Sequence, residues 1–289
     1  MTHSSESTPI WQHLLFPHSS PEDVLVALRN ALENNSYSSY DPFPGGSGSP
    51  IGKLTRIRAF AAPPSQTWQS IFIAPADHID STILTDLSTS IDTPFLDLHL
   101  SSLEDYHITV YGTDTRTTDL TALLPFLKSG MSMSDLESAQ HEAPPDVSKS
   151  SSSPNLPPEL QKFADEKGVQ SKHVDKLMGR MTKRIFKKME QQSGDSSDST
   201  QEQAKAMLSG QAQDALHSPA GLKLRSIISR LTVPEDWYLP DWKTLVAAYP
   251  IARQLQKGNA LLLPGDEAAL EQVPNALDFV PLYYAKRNA

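Results

Sequence analysis

Two neighbouring stretches of alternating apolar and polar residues constrain the fold of this chain more than any other feature. They are FLDLHL at residues 95–100 and DYHITVY at residues 105–111, with only four residues between them. Alternation with a period of two places successive side chains on opposite faces of a strand. The two stretches therefore predict a β-hairpin with one apolar face, and an antiparallel sheet that contains it.

Flanking segments predict the other elements of this sheet. Ser20 and Asp80 are favourable N-caps followed by apolar residues at helical spacing, and Pro125 ends a shorter helical stretch. The resulting order, α-β-β-α-β-β-α, predicts an α+β fold in which an antiparallel sheet carries helices on one face. The predicted elements are strands over residues 53–62 and 68–74, and helices over residues 20–34, 80–90 and 120–127.

Stretches rich in Ser, Pro and acidic residues divide the remainder of the chain. They offer too little apolar surface to offset the entropy lost on ordering, so we predict that they are flexible linkers. The predicted organisation is an α+β domain over residues 1–130, a linker over 131–155, a basic helical hairpin over 156–190, a linker over 191–203, and a mainly helical C-terminal region over 204–289.

Two short apolar pieces in the C-terminal region are extended rather than helical in pattern. Residues 261–263 are Leu-Leu-Leu, and residues 279–284 read FVPLYY. Neither piece is long enough to build a sheet alone. They either complete the N-terminal sheet or belong to a small second core, and the sequence leaves both alternatives open.

The net charge of −9 is distributed unevenly along the chain. It is −11 over residues 1–155, +4 over residues 156–190 and −2 over residues 191–289. An acidic protein is a poor candidate for coating nucleic acid indiscriminately. The basic segment instead indicates one local anionic partner, or an acidic domain of the same chain.

Several functional classes lack their sequence signals here. The absence of cysteine excludes disulfides, thiol catalysis and Cys-based zinc sites. The first twenty residues have no basic region typical of a signal peptide, and no apolar run reaches the roughly 18 residues of a membrane span. No nucleophile-elbow, zinc-protease or phosphate-loop motif occurs. We therefore expect a cytoplasmic, non-enzymatic protein without a cofactor or integral membrane association.

The polar face of the predicted hairpin is the one cluster with chemical potential. Alternation places two His and two Asp on it, which could bind a divalent metal or act as an acid–base pair. The alternative is the solvated face of a one-sided sheet, where polar residues must lie. We expect the second, and so no catalytic or metal-binding role. The face carries Asp97, His99, Asp105, His107 and Thr109.

Residues 156–190 combine a basic and an apolar side on two short helices. Pro157 and Pro158 begin the first helix, Gly168 ends it, and Ser171 caps the second. One side of the second helix is apolar, and the opposite side is basic. The apolar side consists of Val174, Leu177, Met178, Met181, Ile185 and Met189, and the basic side of Lys172, Lys176, Arg180, Lys183 and Lys187.

Residues 160–179 also resemble the helix-turn-helix motif of bacterial DNA-binding proteins. The shared spacing runs from Ala164 through Gly168 and Val169 to Val174 and Leu177. The sequence departs from the motif at Lys167, where the motif is usually apolar, and in its longer second helix. The resemblance implies that the major groove would contact Gln170, Ser171, Lys172, His173 and Lys176.

Taken together, these features favour an interaction or adaptor protein whose basic hairpin docks a protein partner. Met side chains adapt to irregular partner surfaces, which favours docking through the Met-bearing side. The alternative is a DNA-binding regulator that uses residues 160–179. The expected partner-binding residues are Lys172, Lys176, Met178, Arg180, Met181, Lys183 and Lys187.

Overall fold

The structure, a computed structural model, describes most of the chain outside its central part. The basic hairpin at residues 156–190, with every partner-binding residue expected from Lys172 to Lys187, lies outside the described residues, as does the linker at 191–203. The residues described are 9–75, 77–113, 115–141, 215–258, 262–263 and 265–288.

One antiparallel sheet organises these residues and confirms the predicted α+β fold. Its strands follow the order β2-β8-β3-β4-β1-β5-β6-β7, and the predicted hairpin at residues 95–111 forms β5 and β6. The strands are β1 (Trp11–Pro17), β2 (Ser38–Ser39), β3 (Leu54–Ala61), β4 (Trp68–Ile73), β5 (Phe95–Leu100), β6 (Tyr106–Gly112), β7 (Thr115–Thr117) and β8 (Val280–Arg287).

The helices begin where their capping residues predict. Ser20 accepts a hydrogen bond from the Asp23 backbone N–H, and Asp80 accepts from Thr82 and Ile83. The α-helices are α1 (Pro21–Asn34), α2 (Ser81–Ser90), α3 (Met133–His141), α4 (Pro219–Ile228), α5 (Trp242–Gln256) and α6 (Asp266–Gln272), and shorter 3-10 helices span Leu120–Phe126, Ala215–His217 and Ala276–Asp278.

Strand β1 lies at the centre of the sheet, although the sequence analysis did not predict it. It pairs with β4 on one side and β5 on the other, so that His13 is opposite both Phe72 and Leu98. Every residue from Gln12 to Pro17 is buried or nearly so. A strand covered on both faces loses the alternation by which a half-buried strand is found, which is why its pattern was missed.

The C-terminal region completes the N-terminal sheet. Strand β8 pairs with β3 along its whole length, from Leu54 opposite Arg287 to Ala61 opposite Val280. This pairing decides between the two alternatives left open for residues 279–284. In the other apolar piece, Leu262 and Leu263 are exposed and lie outside any helix or strand.

Helix α3 occupies the start of the segment predicted to be a linker. Residues 133–141 are helical, and Leu136 and Ala139 are completely buried. These two apolar residues are three positions apart, so they lie on the same side of the helix and pack together. A mostly polar composition concealed this short apolar side, and at residues 133–141 the structure differs from the predicted linker.

The sheet is covered on both faces, and we call them face A and face B. Helices α1 and α2 share face A, where their apolar residues form one continuous core with the strands. Face B instead carries two separate apolar clusters. The β5–β6 cluster includes Leu98, Val110 and Leu224 of α4, and the β3–β8 cluster includes Phe60 and Leu245 of α5.

Candidate ligand-binding cleft

The gap between the two clusters on face B contains a cavity of about 600 Å³, which we call the main cavity. Strand β4 forms its floor, and the segment at residues 234–241 forms a wall. A cavity of this volume lies within the range of roughly 300–1,000 Å³ typical of small-molecule sites. It is therefore the candidate functional site in the described part of the chain.

The sequence of β4 explains why the floor is open. Its face-B residues are Trp68, Ser70 and Phe72, and all three line the main cavity. Trp68 belongs to the β5–β6 cluster, whereas Phe72 belongs to the β3–β8 cluster. Because the small Ser70 lies between two large aromatic residues, neither cluster fills the space above it.

The wall segment is fixed to helix α4 by one basic side chain. Arg225 donates a hydrogen bond of 2.9 Å to the Tyr238 hydroxyl, and its guanidinium lies 4.6 Å from the centre of the Tyr238 ring. At the other end of the segment, Asp241 accepts a hydrogen bond of 2.8 Å from the Thr244 backbone N–H and caps α5. Between these anchors Leu239 is 52% exposed, and the Leu239–Pro240 peptide bond is cis.

The lining of the main cavity mixes apolar and polar residues and has an acidic bias. Its only charged members among the described residues are Asp236 and Asp241, and no Lys, Arg or His is among them. Neutral polar groups also face the cavity, so hydrogen-bonding capacity is not limited to carboxylates. This composition disfavours an anionic ligand and favours a neutral or basic one. The neutral polar lining residues are Ser65, Ser70, Thr244, Gln272 and Asn275.

A second cavity of about 220 Å³, which we call the small cavity, adjoins the main one. The two cavities share Phe72, Leu239 and Asp241 in their linings. The small cavity is more aromatic, with Trp11 and Trp242 among its lining residues. The cleft therefore offers two neighbouring volumes of different size.

His13 lies in the lining of the small cavity and is almost completely buried. Its ring contacts three aromatic rings, with centroid distances of 5.6 Å to Trp11, 4.6 Å to Phe72 and 5.1 Å to Trp237. Burial lowers the pKa of His13 to about 3, so its imidazole is neutral at physiological pH. Its Nε2 atom has no hydrogen-bond partner within the described part of the chain. An unsatisfied buried polar atom costs about 1–3 kcal/mol.

Sequence reasoning missed the cleft for two reasons. His13 lies on β1, which was itself not predicted, so its position on face B was unknown. The residues of the wall lie more than 200 positions further along the chain, and no local pattern connects them to β1. The only available signal was the concentration of Trp and Pro between residues 234 and 242.

The polar face predicted for the hairpin exists, but two of its five residues are not solvated. The register places Asp97 opposite Thr109 and His99 opposite His107. Asp97 and Thr109 are 4% and 2% exposed, so the expectation of a solvated face is wrong for them. The reason is that face A is also covered, which the one-sided sheet did not anticipate. His107 and Asp105 are exposed, as expected.

Gln12 explains how Asp97 is accommodated in the interior. The Gln12 side chain donates hydrogen bonds of 2.8 Å to Asp97 Oδ1 and 3.1 Å to the Ile79 carbonyl, and its oxygen accepts one of 2.7 Å from the Ile79 N–H. Asp97 Oδ2 also lies 3.6 Å from His99 Nδ1. This buried network connects β1, β5 and the loop before α2.

The two histidines form a stacked pair at the edge of this network. The His99 and His107 rings are 4.7 Å apart, and His107 Nε2 lies 3.0 Å from Asp105 Oδ2. The Ser101 hydroxyl donates to Asp105, and this bond is the main cause of the lowered pKa of Asp105. Across the described residues, no group of three or more His, Asp or Glu side chains is arranged to hold a metal ion. The absence of a catalytic or metal role stays a prediction.

Comparison with known proteins identifies no relative: no protein-family model, curated protein or solved structure matches the chain. None of the described helices has the length and apolar character needed to cross a membrane.

Proposed function

We propose that this chain is a non-enzymatic interaction protein that binds an extended segment of a partner protein in the face-B cleft. The observation that carries this proposal is the lining of the main cavity, where aromatic and proline residues surround two carboxylates. Such aromatic grooves favour proline-containing peptides, because these are preorganised in an extended conformation and lose little entropy on binding. The two carboxylates add a preference for Lys or Arg in the bound segment.

The walls offer the contacts that such a segment needs. Trp68 and Trp237 both line the main cavity, and Leu239, another lining residue, is 52% exposed. Asp236 is exposed and available to pair with a basic side chain. Aromatic anchors in a pocket contribute most of the binding energy in typical interfaces, and charges at the rim contribute selectivity.

The basic hairpin at residues 156–190 remains a second part of this proposal. Its charge of +4 and its Met-bearing side support docking of a protein partner through Met178 and Met181. The DNA-binding alternative rests on the helix-turn-helix spacing of residues 160–179. A cytoplasmic location and the lack of integral membrane association also stay proposals.

A peptide array tests the cleft directly. One set of short proline-containing peptides carries Lys or Arg at varied positions, and a matched set carries Glu at the same positions. We expect the full chain to bind members of the basic set, and the Asp236→Lys variant to bind them at least about tenfold more weakly, which corresponds to about 1.4 kcal/mol. The control is Glu33→Lys, which makes the same charge change at an exposed position on α1.

Two outcomes would overturn the cleft proposal. One is equal binding of the basic and acidic sets by the unmodified chain, since the carboxylates would then have no role. The other is binding of neither set, which would leave the cavity without its proposed occupant. If Glu33→Lys weakened binding as much as Asp236→Lys, the effect would reflect total charge rather than the cleft.

Charge reversal in the hairpin separates its two proposed partners. Lys172→Glu together with Lys176→Glu should abolish DNA binding, and binding of about four phosphates would give a log–log salt slope of about −3 to −4. The same changes should matter little if Met178 and Met181 contact a protein. Tight, salt-sensitive DNA binding that these reversals remove would establish the alternative function.

A further inference from the structure

The small cavity has three aromatic residues in its lining that the main cavity lacks. They are Trp11, Tyr238 and Trp242. All three keep accessible surface, so a bound group is able to contact them. A peptide that occupied only the main cavity would leave these three side chains uncovered.

The volume of the small cavity suits one aromatic side chain. It is about 220 Å³, whereas an engineered apolar cavity of roughly 150 Å³ already holds a benzene ring. The space therefore accepts a phenyl ring together with the CH₂ group that joins it to a peptide backbone. Aromatic rings also interact favourably with one another in stacked and edge-to-face arrangements, beyond the area that they bury.

Neighbouring residues hold the three aromatic rings of the lining in place. The Trp11 ring stacks on His13 at a centroid distance of 5.6 Å. The Trp242 ring lies 5.3 Å from the ring of Phe60. Tyr238 is fixed by its hydrogen bond and ring contact with helix α4. Rings that are already ordered lose little side-chain entropy when a ligand binds, which favours affinity.

The charged residues differ between the two cavities. Asp236 lines only the main cavity, Lys243 and His217 line only the small one, and Asp241 lines both. The main cavity therefore favours a basic side chain, whereas charged residues of both signs line the small cavity. An apolar side chain beside a basic one in the same segment matches this distribution.

We propose that the small cavity binds one aromatic side chain of the partner segment whose Lys or Arg pairs with Asp236. This inference rests on the function proposed above and narrows the partner to segments that combine a basic residue, a proline and an aromatic residue. The two side chains enter different cavities, because Asp236 lines one and Trp242 the other. The segment continues from one to the other where the linings share Phe72, Leu239 and Asp241.

A series of peptides tests for the aromatic residue. The tightest basic peptide of the array is resynthesised with Phe, Leu or Ala at each position on both sides of its proline, and isothermal titration calorimetry measures its binding to the full chain. We expect one position at which Phe binds at least about tenfold more tightly than Ala, a difference of about 1.4 kcal/mol, and about threefold more tightly than Leu. The absence of such a position, or equal affinity of the Phe and Leu peptides there, would overturn the inference.

Two variants assign the gain to the small cavity. Leu216→Trp fills it from a partly buried lining position, so the Phe and Ala peptides should bind equally, and retained affinity for the Ala peptide shows that the variant is folded. Trp242→Leu removes one ring of the lining and should lower the preference for Phe. Val26→Trp, at an exposed position on α1, is the control and should leave the preference unchanged.

A full preference for Phe in either folded cavity variant would contradict the assignment, as would its loss in Val26→Trp. Asp236→Lys should weaken binding of the Phe and Ala peptides by the same factor, because the two contacts lie in different cavities. Basic peptides that bind without a preference for Phe would overturn this inference alone. Failure of every basic peptide to bind would overturn the proposed function as well.

Discussion

The two faces of the sheet are built from the same strands but are packed differently. Face A is filled by one continuous core under α1 and α2, with large residues such as Leu28 and Ile83 completely buried. Face B is covered by two clusters with the main and small cavities between them. One sheet thus has a filled face A, which supplies stability, and a face B whose open space is the binding site that we propose.

The difference follows from how each face is covered. The helices of face A lie early in the chain, α1 after β1 and α2 between β4 and β5, and their apolar residues pack into one core. Face B is covered in part by residues 120–139, and otherwise by the C-terminal region, whose chain must pass from the β5–β6 cluster to the β3–β8 cluster. That passage is the wall segment, which contains Pro234 and Pro240 and cannot form a continuous helix there.

Truncating one large residue on each face tests this difference in packing most clearly. Leu28→Ala on face A should lower the free energy of unfolding by about 2–5 kcal/mol, because it creates a cavity in a filled core. Leu239→Ala on face B should change it by only about 0.5 kcal/mol, since this exposed side chain borders space that is already open. Urea denaturation measures both, and equal losses would contradict the division between the faces.

Removal of Gln12 tests whether face A also depends on its buried polar network. Gln12→Ala should cost about 1–3 kcal/mol, because Asp97 and the backbone of Ile79 would lose buried hydrogen bonds. Asp97→Ala provides the second arm of a double-mutant cycle. The double variant should lose less free energy of unfolding than the two single variants lose together. Strict additivity would show that the two side chains do not interact.

The ion pair between Arg253 and Asp41, at the border of face B, is tested by measuring stability at acid pH. Arg253 of α5 makes two hydrogen bonds to Asp41, of 2.6 and 2.8 Å, and the bond to Arg253 is the main cause of the lowered pKa of Asp41. A carboxylate with a lowered folded-state pKa stabilises the protein above its unfolded value of 3.8, and this contribution disappears as the pH falls through the folded value.

The Asp41→Asn variant should therefore be less stable than the unmodified chain at neutral pH. Because both side chains are partly exposed, we expect a difference of at most about 1 kcal/mol. The difference should shrink as the pH falls below 3.8. Urea denaturation at several pH values measures it, and a difference independent of pH would exclude the ion pair as its cause.

The smallest effect is expected at the stacked histidines on the edge of face A. Replacing His99 and His107 together with Gln should change the free energy of unfolding by no more than about 0.5 kcal/mol for each residue. Thermal denaturation with metal analysis of the purified protein provides the measurement. A stoichiometric metal ion that is lost in the double variant would refute the prediction that this pair has no metal role.

Local sequence signals predicted helices on both faces, but not how the C-terminal region is placed over face B. The side chains of Ser20 and Asp80 define helix starts by accepting hydrogen bonds from nearby backbone N–H groups. The residues of β5 and β6 alternate between apolar and polar around a short turn. In both cases the information lies in residues that are close together in the sequence. The position of β1 between β4 and β5, and of β8 beside β3, depends on pairing between distant segments. His13 became a candidate residue only when the fold brought Trp237 and Phe72 against it.

The central claim is that face B, and not face A, is the binding surface. Two-dimensional amide NMR of the full chain, titrated with the tightest basic peptide from the array, tests it most directly. We predict that resonances of residues 62–72, 234–244 and 272–279 shift, while those of α1 and α2 stay unchanged. Shifts confined to α1 and α2, or to residues 156–190, would contradict the claim.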